Sequence, residues 1–123
     1  MYELTKEFRF DAAHTLERDI NAEGSRRIHG HSYRAEVTLR GEPDPKSGMI
    51  IDTSRLELLL ARARDALDHR LLDEINDLGP GTMENLCAYI WRTLEPDIPM
   101  LHSVAVLRDS TADRVIYFGK LAA

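Results

Sequence analysis

The sequence has one cysteine, Cys87, in 123 residues, so no disulfide can close within the chain. It has no run of about 18 apolar residues, the length a membrane-crossing helix needs. The opening MYELTKEFRF carries Glu3, Lys6, Glu7 and Arg9. It therefore lacks an apolar signal-peptide core, and the expectation is a cytoplasmic protein with no membrane partner. There is no basic excess either. Sixteen Lys and Arg face 21 Asp and Glu, for a net charge of −5, which argues against a nucleic-acid partner. No internal repeat, low-complexity run or Gly/Ser linker divides the chain. What is there is enough for a core: 43% of residues are hydrophobic and 30% charged. Residues 1–123 are expected to form a single domain.

Polar and apolar residues alternate near the start. Tyr2, Leu4, Phe8 and Phe10 fall on one side, with Lys6 the exception, and Glu3, Thr5, Glu7 and Arg9 on the other. Residues 31 to 40 alternate more strictly. Both read as half-buried strands. GEPDPKSG, 41 to 48, reads as a loop, followed by a short apolar piece, Met49 to Ile51. Ser54 and Glu57 make a capping-box pattern. Leu56, Leu59, Leu60, Ala63 and Leu67 behind them predict a helix over about 54 to 68. Thr82 can cap a second helix with the stripe Leu86, Tyr89, Ile90 and Leu94, ended by Pro96. Val104 to Leu107 and Val115 to Phe118 read as a final hairpin. The order is β-β-α-α-β-β, an α+β fold with both helices on one sheet face. The other face carries Glu, Thr, Arg and Ser, and is either solvated or turned into an assembly.

RRIHGHSYRAEV, 26 to 37, holds His29 and His31 at i and i+2, so both point to the apolar face of a strand. Continuing the first strand's parity through Ala12 brings His14 to the same side. If the two strands pair, three imidazoles meet. Three histidines with an open fourth position are the donor set of a catalytic zinc site. The alternative is three partly buried histidines with backbone partners, and H-x-H alone is a weak motif.

Six segments then occur in a family order: FDAAHTL (10–16), HGHSY (29–33), GMIIDTSRLE (48–57), LDHRLLDEI (67–75), GTMENLCAYIW (81–91) and DSTADRVIYFG (109–119). With them the chain resembles the 6-pyruvoyl-tetrahydropterin and 6-carboxytetrahydropterin synthase family over nearly its whole length. The resemblance implies a tunnelling fold: four antiparallel strands with two helices on one face. Subunits would form trimeric barrels that stack into a hexamer, a homo-oligomer whose interior the polar sheet face would line. It implies Zn2+ on His14, His29 and His31, and 7,8-dihydroneopterin triphosphate as substrate. It implies Asp68 and His69 as the proton-moving pair, Asp109 as the carboxylate that anchors the pterin ring, and Thr82 and Glu84 as pterin contacts. Arg26 and Arg27, beside the metal strand, either receive the triphosphate or belong to a solvated loop.

The family's catalytic cysteine lies four residues before the first histidine of H-G-H in the carboxytetrahydropterin branch and six before it in the pyruvoyl branch. Here those positions are Ser25 and Glu23. A serine hydroxyl needs a strong neighbouring base, whereas Glu23 is ionised at neutral pH and could act as a base directly. Cys87, inside the second helix, reads as a small buried hydrophobe. The leading expectation is a lyase making 6-carboxytetrahydropterin, the precursor of queuosine and other 7-deazapurines. The alternatives are a pyruvoyl- or hydroxymethyl-pterin product, or a non-catalytic hexamer that binds zinc and pterin.

Overall fold

The computed structural model describes residues 1–120. Two long strands, β1 (Tyr2–His14) and β2 (His29–Gly41), pair antiparallel along their whole length, from Tyr2 opposite Gly41 to His14 opposite His29. β4 (Leu101–Arg108) pairs antiparallel with β2, and β5 (Asp113–Tyr117) with β4. The alternation explains the register. Phe8, Phe10, Ala12, Tyr33, Ala35, Val37, Leu39, Val104 and Val106 all fall on one face and are buried there. A slip of one residue would turn every one of them to solvent.

Two helices cover that face. α2 (Thr53–Leu67) packs on β1 and buries Leu56, Leu59, Leu60, Ala63 and Leu67. α3 (Met83–Leu94) packs on β4 and β5 through Met83, Leu86, Cys87, Ile90 and Leu94. Truncating a fully buried residue such as Leu56 or Leu86 to Ala would cost about 2–5 kcal/mol. Thr82 caps α3, its hydroxyl accepting from the backbone N–H of Asn85 at 3.2 Å. The opposite face stays polar, with Thr5 bonded to Thr38 at 2.8 Å and Arg34 to Glu7 at 3.0 Å.

The structure differs from the sequence reading at four places. α2 starts one residue earlier, capped by Asp52, whose carboxylate accepts from the Ser54 N–H at 2.9 Å; the Ser54–Glu57 pattern lies inside the helix. Residues 50–51 form a bend, with Ile51 packed against the core. A five-residue helix, α1 (Ala22–Arg26), interrupts what carried no periodic signal. The sheet also has a fifth, two-residue strand. β3 (Arg70–Leu71) lies parallel to Ala12 and Ala13 at the outer edge, giving the order β3-β1-β2-β4-β5. It exists because the chain turns sharply out of α2 through His69, at φ 59, and the His69 N–H donates to the Asp11 carbonyl at 2.7 Å.

Candidate functional site

The end of the β1–β2 ladder sets the site. His14 and His29 face each other in register, and His31 follows one step inward on the same face. Their donor nitrogens all lie within 4.8 Å of one another. His14 is 1% exposed. Its Nδ1 bonds to the Gly81 carbonyl at 2.7 Å, and the Nδ1 of His29 bonds to the Arg27 carbonyl at 2.8 Å. A carbonyl only accepts, so both Nδ1 atoms are N–H donors. In the neutral ring each Nε2 then carries a lone pair, and these two Nε2 atoms are 2.9 Å apart. Two lone pairs at that distance need a cation between them. Burial pushes His14 below the ordinary histidine range, and burial followed by the charge of Arg108 pushes His31 down to about 4. Burial therefore disfavours a proton on His14 and on His31. A divalent metal fits: the donor set is imidazole, and carbonyls fix the outer nitrogens of His14 and His29.

His31 borders a second group. A cleft of about 470 Å³ is lined by Asp11, Gly30, His31, Ser32, His69 and Arg70, among others. Asp68 sits at the end of α2, where one carboxylate oxygen accepts from the Asp11 N–H at 2.9 Å and the other from Arg64 at 3.0 Å. The Nδ1 of His69 lies 3.1 Å from that second oxygen. The Asp11 N–H, followed by the His69 contact and the charges of His69 and Arg64, holds Asp68 below the usual carboxylate range. His69 itself is open to the cleft, with its side chain 79% exposed. A fixed carboxylate behind an exposed imidazole orients the ring for proton exchange.

Thr82 and Glu84 line a smaller cavity of about 180 Å³ together with His14, Arg18, Tyr33 and Arg108. Asp109 and Arg34 line a third, about 350 Å³, on the polar sheet face beside His31, Ser32 and Tyr33. Arg34 grips both Asp109 carboxylate oxygens at 2.9 Å, and this contact holds Asp109 below the carboxylate range. The anchor carboxylate expected from sequence is therefore already engaged by a guanidinium of the chain itself. α1 lies beside the histidines: Leu16 N–H donates to the Ser25 carbonyl at 2.8 Å, just beyond His14, and Arg27 accepts from His29. Ser25 is buried and Glu23 exposed, the latter paired with Arg27 at 2.7 Å. Arg26 pairs with Glu17 at 3.5 Å. Both arginines thus face acidic neighbours.

Three residues at the site were not singled out from the sequence. Gly81 supplies the carbonyl that orients His14, Arg64 steadies Asp68, and Arg108 reaches His31. Arg108 was legible in principle, as a charged residue at an inward position of an otherwise apolar strand. The other two depend on loop and helix placement. Cys87 is fully buried in α3, and burial pushes its thiol up to about 11.

Known proteins match this architecture and sequence. Residues 3–119 fit the family described as 6-pyruvoyl tetrahydropterin synthase. The 6-carboxy-5,6,7,8-tetrahydropterin synthase of Synechocystis sp. is 37% identical over 119 residues, covering 91% of this chain and 90% of that protein. The solved 6-pyruvoyl tetrahydropterin synthase of Caenorhabditis elegans superposes with a TM-score of 0.85 at 27% identity, over 97% of this chain and 96% of that one. That of Plasmodium vivax, solved with a catalytic glutamate changed to alanine, gives a TM-score of 0.72 at 21% identity over 95% and 98%, a likeness of fold. With the tunnelling fold in place and the match running through nearly every element, the chain belongs to the 6-pyruvoyl tetrahydropterin synthase family.

Proposed function

We propose that this chain is a zinc-dependent lyase that converts 7,8-dihydroneopterin triphosphate to 6-carboxy-5,6,7,8-tetrahydropterin, in the route to queuosine and related 7-deazapurines. The observation that carries the proposal is the pair of Nε2 lone pairs of His14 and His29 opposed at 2.9 Å, with His31 alongside. The product assignment leans on the 37% identity to the Synechocystis 6-carboxytetrahydropterin synthase across most of both chains.

His14, His29 and His31 would hold the metal, which as a Lewis acid makes substrate oxygens more acidic and carbonyls more electrophilic. The chain's own groups do the rest. His69 lies open to the same cleft that His31 lines, so it can take a proton from the substrate side chain and return it at another atom. Asp68 stays ionised and keeps the ring turned for that exchange. Glu23 or Ser25, on α1 beside the histidines, takes the place of the family's cysteine. A glutamate is the simpler base, because it is ionised without help, and a glutamate is a catalytic residue of the Plasmodium vivax synthase in this fold. Thr82 and Glu84 face the pterin, Asp109, steadied by Arg34, anchors its ring, and Arg26 and Arg27 receive the triphosphate. The polar sheet face lines the interior of a hexamer of stacked trimers.

A second reading keeps the substrate and changes the product to 6-pyruvoyl-tetrahydropterin, favoured by the TM-score of 0.85 to the Caenorhabditis elegans enzyme. The test of the metal is direct. The purified protein should hold one zinc per chain by elemental analysis. His29→Ala and His31→Ala should lose both the zinc and the consumption of 7,8-dihydroneopterin triphosphate. Full turnover in a zinc-free double variant would refute the proposal.

A further inference from the structure

Arg108 ends β4 on the inward face, in line with Val104 and Val106, where the strand is otherwise apolar. Its side chain is only 16% exposed. The guanidinium has three neighbours. Nη1 lies 3.2 Å from the Nε2 of His31, Nη2 lies 3.4 Å from an Asp113 carboxylate oxygen, and the Tyr33 hydroxyl is close enough to feel the charge. The Nε–H is buried and has no acceptor among the described residues. A buried donor without a partner is costly, and in native proteins such a group usually marks a missing ion, water or ligand.

The contact to His31 sharpens the point. A guanidinium only donates, so Arg108 uses the Nε2 lone pair of His31. A metal held through that nitrogen would take the same lone pair. Once it is taken, Nη1 loses its acceptor and joins Nε in needing one. Both donors belong to a side chain that lines the cavity of Thr82, Glu84, His14 and Tyr33, with Arg18 as a second cation on its wall. Glu84 is the acidic group on that wall; it sits on the first turn of α3 and is exposed.

We propose that Arg108 is the oxyanion-binding residue of this pocket, receiving an acidic oxygen of the pterin side chain, phosphate or carboxylate, through its Nε and Nη1 donors. The inference rests on the three-histidine pocket being the substrate site. It does not depend on which product forms.

Equilibrium binding to the metal-loaded protein tests it, with inorganic phosphate, 6-carboxypterin and the uncharged 6-methylpterin as probes. Arg108→Met should weaken one or both acidic probes by about 10- to 100-fold, the usual worth of hydrogen bonds to a charged group. It should leave 6-methylpterin within about threefold, which also shows that the variant is folded. Arg108→Lys should recover part of the loss, as a point charge without the planar fork. Loss of phosphate alone assigns the site to a phosphoryl oxygen, and loss of 6-carboxypterin alone to a carboxylate. The proposal is overturned if wild-type protein binds neither acid, if Arg108→Met binds both as wild type does, or if 6-methylpterin weakens equally. A protein that binds acids through Arg108 yet turns over no pterin would refute the proposed function and leave this inference standing.

Discussion

Gly81→Ala should damage the metal site from outside it. Gly81 lies on the segment between β3 and α3 and presses against β1. A Cβ built there would sit 3.1 Å from Leu72 Cβ and 3.2 Å from both His14 Cβ and Leu72 Cδ1. Two of these atoms are Cβ atoms that no rotamer change can move, on residues that are 0% and 1% exposed. The segment must therefore shift outward by a few tenths of an ångström. Its carbonyl holds the His14 Nδ1–H at 2.7 Å, so the shift drags the ligand's orienting bond. Overpacking of this kind costs about 1–3 kcal/mol. At roughly 4 °C per kcal/mol for a domain of this size, the metal-free melting temperature should fall by about 4–12 °C. Disturbing the group that orients a ligand histidine should lower zinc affinity by about 10- to 100-fold. Differential scanning calorimetry and competition with a chromophoric chelator read the two effects separately. Gly48→Ala is the control. Gly48 has φ +74 and nothing within 4 Å, so alanine there should cost about 1 kcal/mol of backbone strain and leave zinc affinity unchanged. If Gly81→Ala keeps wild-type zinc affinity, the Gly81 carbonyl does not orient His14 as described.

Further outcomes follow from the same geometry. His69→Ala should lower kcat by about 100- to 10,000-fold while pterin affinity and melting temperature hold, because the ring is exposed; an equal loss of affinity would make His69 a binding residue instead. Asp68 has a folded-state pKa below its unfolded value of 3.8, so its stabilising effect is present above pH 3.8 and is lost as pH falls through the folded value. Acid titration of Asp68→Asn should show a shallower loss of stability in that window, and an unchanged acid limb would contradict the assignment. Cys87, pushed up to about 11 and buried, should resist iodoacetamide at pH 8 in the native protein and react fully in denaturant. Rapid native labelling would mean that α3 opens readily.

Much of this was legible in the sequence because period-two patterning is strict. Phe8, Phe10, Ala12 and His14 lie on one parity of β1, and His31, Tyr33, Ala35 and Val37 on one parity of β2, so pairing the strands was enough to bring three histidines together. The Thr82 cap was equally local, one hydroxyl and one N–H three residues on. What could not be read depends on tertiary placement. Asp52 outcompeted Ser54 as the α2 cap, a choice between adjacent residues that both suit the role. β3 is two residues long and is held by its pairing with Ala12 and Ala13, which leaves no pattern. The Arg34 grip on Asp109 spans 75 positions, and the Gly81 carbonyl on His14 spans 67. No local signal encodes either. That Ser25 and Glu23 stand where the resemblance leads one to expect a cysteine was visible at once, yet α1, which carries both, was not.

The central claim is that the three-histidine pocket carries out pterin chemistry that ends in a carboxylate. Incubating zinc-loaded protein with 7,8-dihydroneopterin triphosphate and identifying the pterin by mass spectrometry tests it most directly. The account predicts 6-carboxy-5,6,7,8-tetrahydropterin with acetaldehyde, abolished by His31→Ala. Recovery of unchanged substrate from a protein that holds its zinc would contradict it.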